Sequence, residues 1–119
     1  MLDKAEAWAF AREWAEVWNA HELEAILAHY TEDVELTSPV VVERLGEKSG
    51  TVRGKRALRD YFGKGLTAYP ELRFELRDVM WGVGSVVLYY VNQRGTMTGE
   101  FMEFAGDGRV RRVVATYSG

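Results

Sequence analysis

The sequence predicts an α+β fold, with three N-terminal helices packed on one face of a curved antiparallel sheet. Three observations carry that expectation. Before Pro70 most apolar residues recur at helical spacing. After Pro70 they alternate at a period of two. Turn signals separate the alternating runs, the strongest being Ala105-Gly106-Asp107-Gly108. Helices first and antiparallel strands after them place the helices on one side of the sheet. A chain of 119 residues is the size of one domain, taken as residues 1–119, and it contains no internal repeat, low-complexity segment or linker.

Phe10, Trp14 and Trp18 stand at i, i+4 and i+8, with Ala7, Ala11 and Val17 in the same arc. The first element is therefore an amphipathic helix with an aromatic stripe. Asn19-Ala20-His21 interrupts it. A second short helix follows, with Leu23, Ile26, Leu27 and Tyr30 on one face and Thr31-Glu32-Asp33 as its exit. Val34, Leu36 and Ser38 alternate with Glu35 and Thr37, a strand that ends at Pro39 or lies at a sheet edge. Residues 43–54 are polar, carry Gly46, Gly50 and Gly54, and read as a mobile loop or a ragged hairpin. Gly54-Lys55 opens the third helix, whose inner stripe is Leu58, Tyr61, Phe62 and Leu66 and whose end is bracketed by Gly65 and Pro70. Beyond it, Leu72, Phe74, Leu76 and Met80 alternate with Arg73, Glu75, Arg77 and Val79. Gly82-Val83-Gly84 turns the chain into Val86–Asn92, Arg94-Gly95 turns it into Met97–Phe104, and the hairpin at 105–108 leads into Arg109–Tyr117.

Composition narrows the function. Net charge is −3 and the pI is about 5.4, against the basic excess of a duplex binder, so nucleic acid is not an expected partner. There is no cysteine, hence no disulfide, thiol chemistry or Cys-based zinc site. The longest apolar run, Val86–Val91, is far shorter than the ~20 residues of a membrane helix. Met1-Leu2-Asp3-Lys4-Ala5-Glu6 carries its charges too early and too evenly for a signal peptide, and the expected location is the cytoplasm. Fifteen aromatic residues, four of them Trp, either fill a core or line a pocket. Val86–Val91 is also apolar on both faces, whereas an antiparallel strand with one wet face alternates. The helices cover one side only, so a second copy of the chain is the economical cover for the other, and a homodimer through the outer sheet face is expected.

The order of elements resembles the nuclear-transport-factor-2-like superfamily, in its SnoaL-like and ketosteroid-isomerase-like branch. Residues 18–34, Trp18-Asn19-Ala20-His21-Glu22-Leu23 through Thr31-Glu32-Asp33-Val34, followed by Ser38-Pro39, are similar to that branch's signature. Gly54 with Ala57–Phe62 is similar to its third helix, and Phe101–Phe104, Gly106–Gly108 and Val110 to its closing hairpin. The resemblance covers nearly the whole chain and implies a cystatin-like cone, in which a bent sheet wraps helices and encloses a pocket. It also locates the ketosteroid isomerase positions. The carboxylate base falls on Ser38, the tyrosine donor on Trp14 and the protonated acid near Glu100. Ser38 is no base at neutral pH without an adjacent one, and an indole cannot titrate. Classical ketosteroid isomerase activity is therefore not expected. The His–Asp pair of SnoaL-type cyclases has no counterpart in His21 or His29, and no Asp–Arg–Asp cluster of the epoxide-hydrolase type can be placed.

Each candidate has a plain reading beside the functional one. Phe10, Trp14 and Trp18 form either the aromatic wall of a ligand pocket or the core stripe of their helix. Glu100 points inward, as a buried acid able to shuttle a proton, if Met102 and Phe104 do; otherwise it faces solvent. Ser38 and Tyr117 are polar handles at a pocket mouth or rim residues, Val113 shares the face of Tyr117, and Tyr61 is a core tyrosine or a lining one. His21 and His29 lack a third ligand, so no metal is expected. Ser49 and Arg56 stand where a phosphate loop needs Gly and Ser or Thr, and there is no Gly-x-Ser-x-Gly elbow. The leading expectation is an internal pocket for a small, mostly apolar ligand, lined by Phe10, Trp14, Trp18, Ser38, Tyr61, Glu100, Met102, Val113 and Tyr117, with no cofactor. One alternative is a cofactor-free isomerase, cyclase or dehydratase using Glu100. Another is a dimerising interaction module with the cone packed solid.

Overall fold

Asp3 opens the first helix with a capping box. Its carboxylate accepts from the Glu6 backbone N–H at 2.8 Å, while Glu6 accepts from the Asp3 N–H at 3.3 Å. The structure is a computed structural model describing residues 3–119. Helix α1 (Lys4–Asn19) buries Ala7, Ala11, Trp14, Ala15 and Trp18. Helix α2 (Leu23–Leu27) follows. Then come β1 (Tyr30–Thr37), α3 (Pro39–Leu45), β2 (Thr51–Arg53), α4 (Lys55–Ala68), β3 (Glu75–Trp81), β4 (Ser85–Val91), β5 (Met97–Phe104) and β6 (Val110–Tyr117). The fold is α+β, with the helices on the inner face of one curved six-stranded sheet of order β2-β1-β6-β5-β4-β3.

Five details depart from the sequence reading. Tyr30 to Asp33 belong to β1, not to the face and exit of α2, because Tyr30 pairs with Val110 across the sheet and its side chain is fully buried. The β1–β6 pairing is parallel, so the sheet is mixed rather than wholly antiparallel. A fourth helix, α3, follows β1. Ser38 is its N-cap, Pro39 stands in its first turn, and Gly46 closes it with a left-handed φ of 66°. Residues 51–53 of the expected loop form β2, hairpin partner of β1 through Glu35↔Arg53, Leu36↔Val52 and Thr37↔Thr51. Finally, a bulge between Leu76 and Asp78 reverses the alternation of β3. Val79 is buried and Met80 exposed, the opposite of the period-two expectation.

One polar clamp fixes the chain between α4 and β3. The Asn19 side chain donates to the Phe74 carbonyl at 3.0 Å and accepts from the Phe74 N–H at 2.7 Å. The His21 Nε2–H donates to the Leu72 carbonyl at 2.8 Å, which sets its tautomer. His21 itself takes a positive φ of 57°. The Asn-x-His of the signature is thus a structural bracket that seats Leu72 and Phe74 against α1. Replacing Asn19 by Ala strands both backbone groups of the buried Phe74. Asn19→Ala is expected to cost about 2–4 kcal/mol in denaturant unfolding, with Asn19→Asp recovering part of it.

Candidate functional site

The cone is not packed solid. A cavity of about 90 Å³ opens between α1, α3, α4 and the inner face of the sheet. Its apolar floor comprises Trp14, Trp18, Phe62 and Phe74. These rings brace one another, Trp14 stacked on Phe74 at 5.5 Å and Trp18 edge-on to Phe62 at 4.7 Å. The Trp14 indole N–H is taken up by the Tyr30 hydroxyl at 3.1 Å, on the side of the core. Trp14 and Trp18 therefore serve as core and as cavity wall at once.

Glu100 is the one carboxyl group among the lining residues. Strand β5 pairs with β4 so that Leu88 faces Glu100 and Tyr90 faces Thr98. Met102, Glu100 and Thr98 alternate inward, and Glu100 is only 7% exposed. Tyr90 stands diagonally across the ladder and donates its hydroxyl to Glu100 Oε1 at 2.6 Å. Burial pushes the Glu100 carboxyl up to about 7, and the Tyr90 hydrogen bond only partly opposes that rise. The group thus has a proton to give or to take near neutrality. Burial raises the hydroxyls of Tyr61, Tyr90 and Tyr117 above the usual tyrosine range, so they remain neutral donors.

Ser38 joins the site through its cap. Its Oγ accepts from the Val40 N–H at 3.1 Å and donates to the Tyr117 hydroxyl at 3.4 Å. The serine at the expected base position is thus a helix cap that steadies a tyrosine. Nearer solvent, Arg44 lies over the Tyr69 ring at 5.3 Å, and Asn92 and Gln93 complete the wall. Tyr69 is drawn below its ordinary value by the neighbouring guanidinium groups, Arg44 first and then Arg94.

Six of the nine residues expected at the pocket line this cavity: Trp14, Trp18, Ser38, Tyr61, Glu100 and Tyr117. The other three, Phe10, Met102 and Val113, do not. Phe10 packs edge-on against His29 and Phe104, at 5.5 and 5.0 Å, at the opposite end of the cone. Met102 and Val113 are fully buried and pair with one another across β5 and β6. The aromatic stripe of α1 runs the length of the cone, and only its C-terminal part reaches the cavity.

Tyr90, Arg44 and Tyr69 were missing from the expected set. Tyr90 was within reach. A turn centred on Arg94 makes paired residues on β4 and β5 sum to 188, which puts Tyr90 diagonal to Glu100. Arg44 and Tyr69 depend on α3 and on the end of α4, whose proximity no local pattern states. Among the described residues there is no group of three His, Cys, Asp or Glu side chains that could hold a metal ion.

The sequence matches the family model described as a SnoaL-like domain over residues 11–118. No curated protein matches the chain by sequence. A SnoaL-like protein of unknown function from Burkholderia thailandensis is 40% identical, superposes with a TM-score of 0.96 and shares 98% of each chain. A protein of unknown function with a cystatin-like fold from Methylobium petroleophilum is 13% identical, with a TM-score of 0.77 over 99% of this chain and 79% of its own. SalBIII, described as an epoxide hydrolase/cyclase-like enzyme in pyran ring formation in the polyether salinomycin, is 19% identical, with a TM-score of 0.75 over 99% of this chain and 95% of its own. At such identities the last two share the fold alone.

The buried carboxyl makes stability depend on pH. Its folded pKa, about 7, lies above the unfolded value of 4.5. The folded state therefore holds a proton that the unfolded chain has released, and stability falls as pH rises through that window. Glu100 should contribute a loss on the order of 3 kcal/mol between pH 4.5 and 7.5. Denaturant titrations across that range check it, with Glu100→Gln flattening the profile.

Proposed function

The chain belongs to the SnoaL-like domain family, and from that premise we propose that its cavity binds a small, mostly apolar molecule with which Glu100 exchanges a proton. The observation that carries this reading is a carboxyl group at the cavity wall that titrates near neutrality and has only a phenol for a partner. Such a group can act as a base in one step and as an acid in the next. Tyr90 suits both steps, because its hydroxyl can donate to Oε1 whether or not the carboxyl holds a proton. A ligand carbon beside a carbonyl would lose its proton to Glu100, and the electron pair would move onto the carbonyl oxygen. Tyr61 and Tyr117 are neutral donors for the charge that develops there. Return of the proton to a different carbon is isomerisation; attack of the enolate carbon on a second carbonyl of the same ligand, whose oxygen takes the displaced electron pair and then the proton from Glu100, is cyclisation. Neither needs a cofactor. Ser38 has no part as a base, since its oxygen already accepts from a backbone N–H. The open cavity weighs against an interaction module with a filled cone.

A homodimer through the outer sheet face is a second, compatible proposal. Val87, Tyr89, Phe101 and Val114 stand on that face in adjacent strands, and Tyr89 is 42% exposed. In this reading a second copy covers them.

Two measurements test these proposals. Incubating the protein in deuterated water with a panel of small cyclic ketones should give catalysed exchange of α-hydrogens for some member, rising with an apparent pKa near 7. Glu100→Gln should lower that rate roughly 10²–10⁴-fold, and no exchange above buffer for any ketone counts against the proton-transfer reading. Light scattering should give a dimer mass for the native chain and a monomer for Phe101→Asp.

A further inference from the structure

The cavity carries a second charged group with no assigned role. Arg44 stands in the last turn of α3 and is the one cation among the lining residues. Among the described residues, no carboxylate is recorded within 4.0 Å of its guanidinium. Its sequence neighbour Glu43 turns away and pairs with Arg94 at 3.1 Å. One arginine of the mouth is therefore neutralised and the other is not. Glu100 does not compensate Arg44 either, since burial and Tyr90 alone account for its state. The cavity has an acid at its wall, aromatic rings across its floor and an uncompensated cation near solvent.

Resting on the reading of this cavity as a ligand pocket, we infer that its occupant is an anionic amphiphile: a flat apolar body carrying a carboxylate that pairs with Arg44 at the mouth. The Tyr69 ring under the guanidinium holds the side chain in place, so less rotamer freedom is lost when an anion docks. A guanidinium presents a planar fork that matches a carboxylate with two hydrogen bonds. Neutral ligands of the same shape would leave Arg44 to water. A volume of about 90 Å³ is smaller than the ~150 Å³ of an apolar cavity that takes benzene, so the enclosed body is no larger than a single ring, with its polar end at the open mouth.

The test is a matched pair of single-ring probes, benzoate and benzamide, titrated calorimetrically into the native chain at pH 6. There an arenecarboxylate is ionised and most of Glu100 is protonated. The expected result is roughly tenfold tighter binding of the acid, lost as salt is raised. Arg44→Gln should erase the difference between acid and amide, and Arg44→Lys should restore part of it. Arg44 is exposed on a short helix, so neither variant threatens the fold. Equal affinity for acid and amide in the native chain overturns the Arg44 assignment and leaves the pocket standing. An acid preference that survives in Arg44→Gln overturns it too. Binding of neither probe overturns the pocket reading at this size, and the assignment with it.

Discussion

The parallel pairing of β1 with β6 is the contact on which the rest of the structure depends. It joins β1 to β6, with Tyr30 paired to Val110, about two-thirds of the chain's length apart. No local turn can make such a pair, so its loop-closure cost must be met by burial elsewhere. It fully buries Tyr30, where the hydroxyl takes up the Trp14 N–H. It sets the end of β1 beside the end of β6, so that Ser38 meets Tyr117. It also places β6 inside the sheet, where β5 can pair with it and turn Glu100 toward the helices. Without that pairing the sheet has no closed inner face and the cavity has no wall.

Inside that wall, burial and chemistry oppose each other. A core seeks apolar groups, yet Thr98, Asn92, Ser38 and Glu100 are all buried. The first three are satisfied within the fold. Asn92 donates to both Thr96 and Thr98 at 2.9 Å, and Ser38 caps α3. Glu100 has a phenol and no cation, which leaves it less stable when ionised. A structural role would be served as well by a neutral glutamine. Glu100 is thus the one of these four whose charged form the fold leaves without a cation.

The polarity of the cavity is graded rather than uniform. Indole and phenyl rings form the floor, phenols surround the acid, and the arginine stands where solvent begins. The layers draw on different elements: α1, α4 and the segment before β3 supply rings, β4 to β6 together with Tyr61 of α4 supply the acid and its donors, and α3 supplies the cation. The bracket of Asn19 and His21 is what aligns the first layer with the second, since it seats Phe74 between Trp14 and Tyr90.

The sequence by itself determined the fold class and the ends of most elements. Periodicity in α1 and α4, the 105–108 hairpin and the boundaries of β5 are local properties, set by which residues within a few positions of one another are apolar or turn-forming. It also carried Glu100 as a candidate, because period two in β5 ties its direction to Met102. Only the tertiary structure decided what non-local contact decides. Tyr30 left the helix for a strand because Val110 was there to pair with it. The bulge at Leu76–Asp78 exchanged Val79 and Met80 because β4 dictated the register. Helix α3 had a Ser-Pro start and a Gly stop in plain view, but three consecutive valines have strand propensity, and only the position of its cap against Tyr117 resolved the conflict. The same reason separates the six lining residues from Phe10, Met102 and Val113. A face can be read from spacing, but the place along the cone where packing stops and a cavity opens is set by what stands opposite.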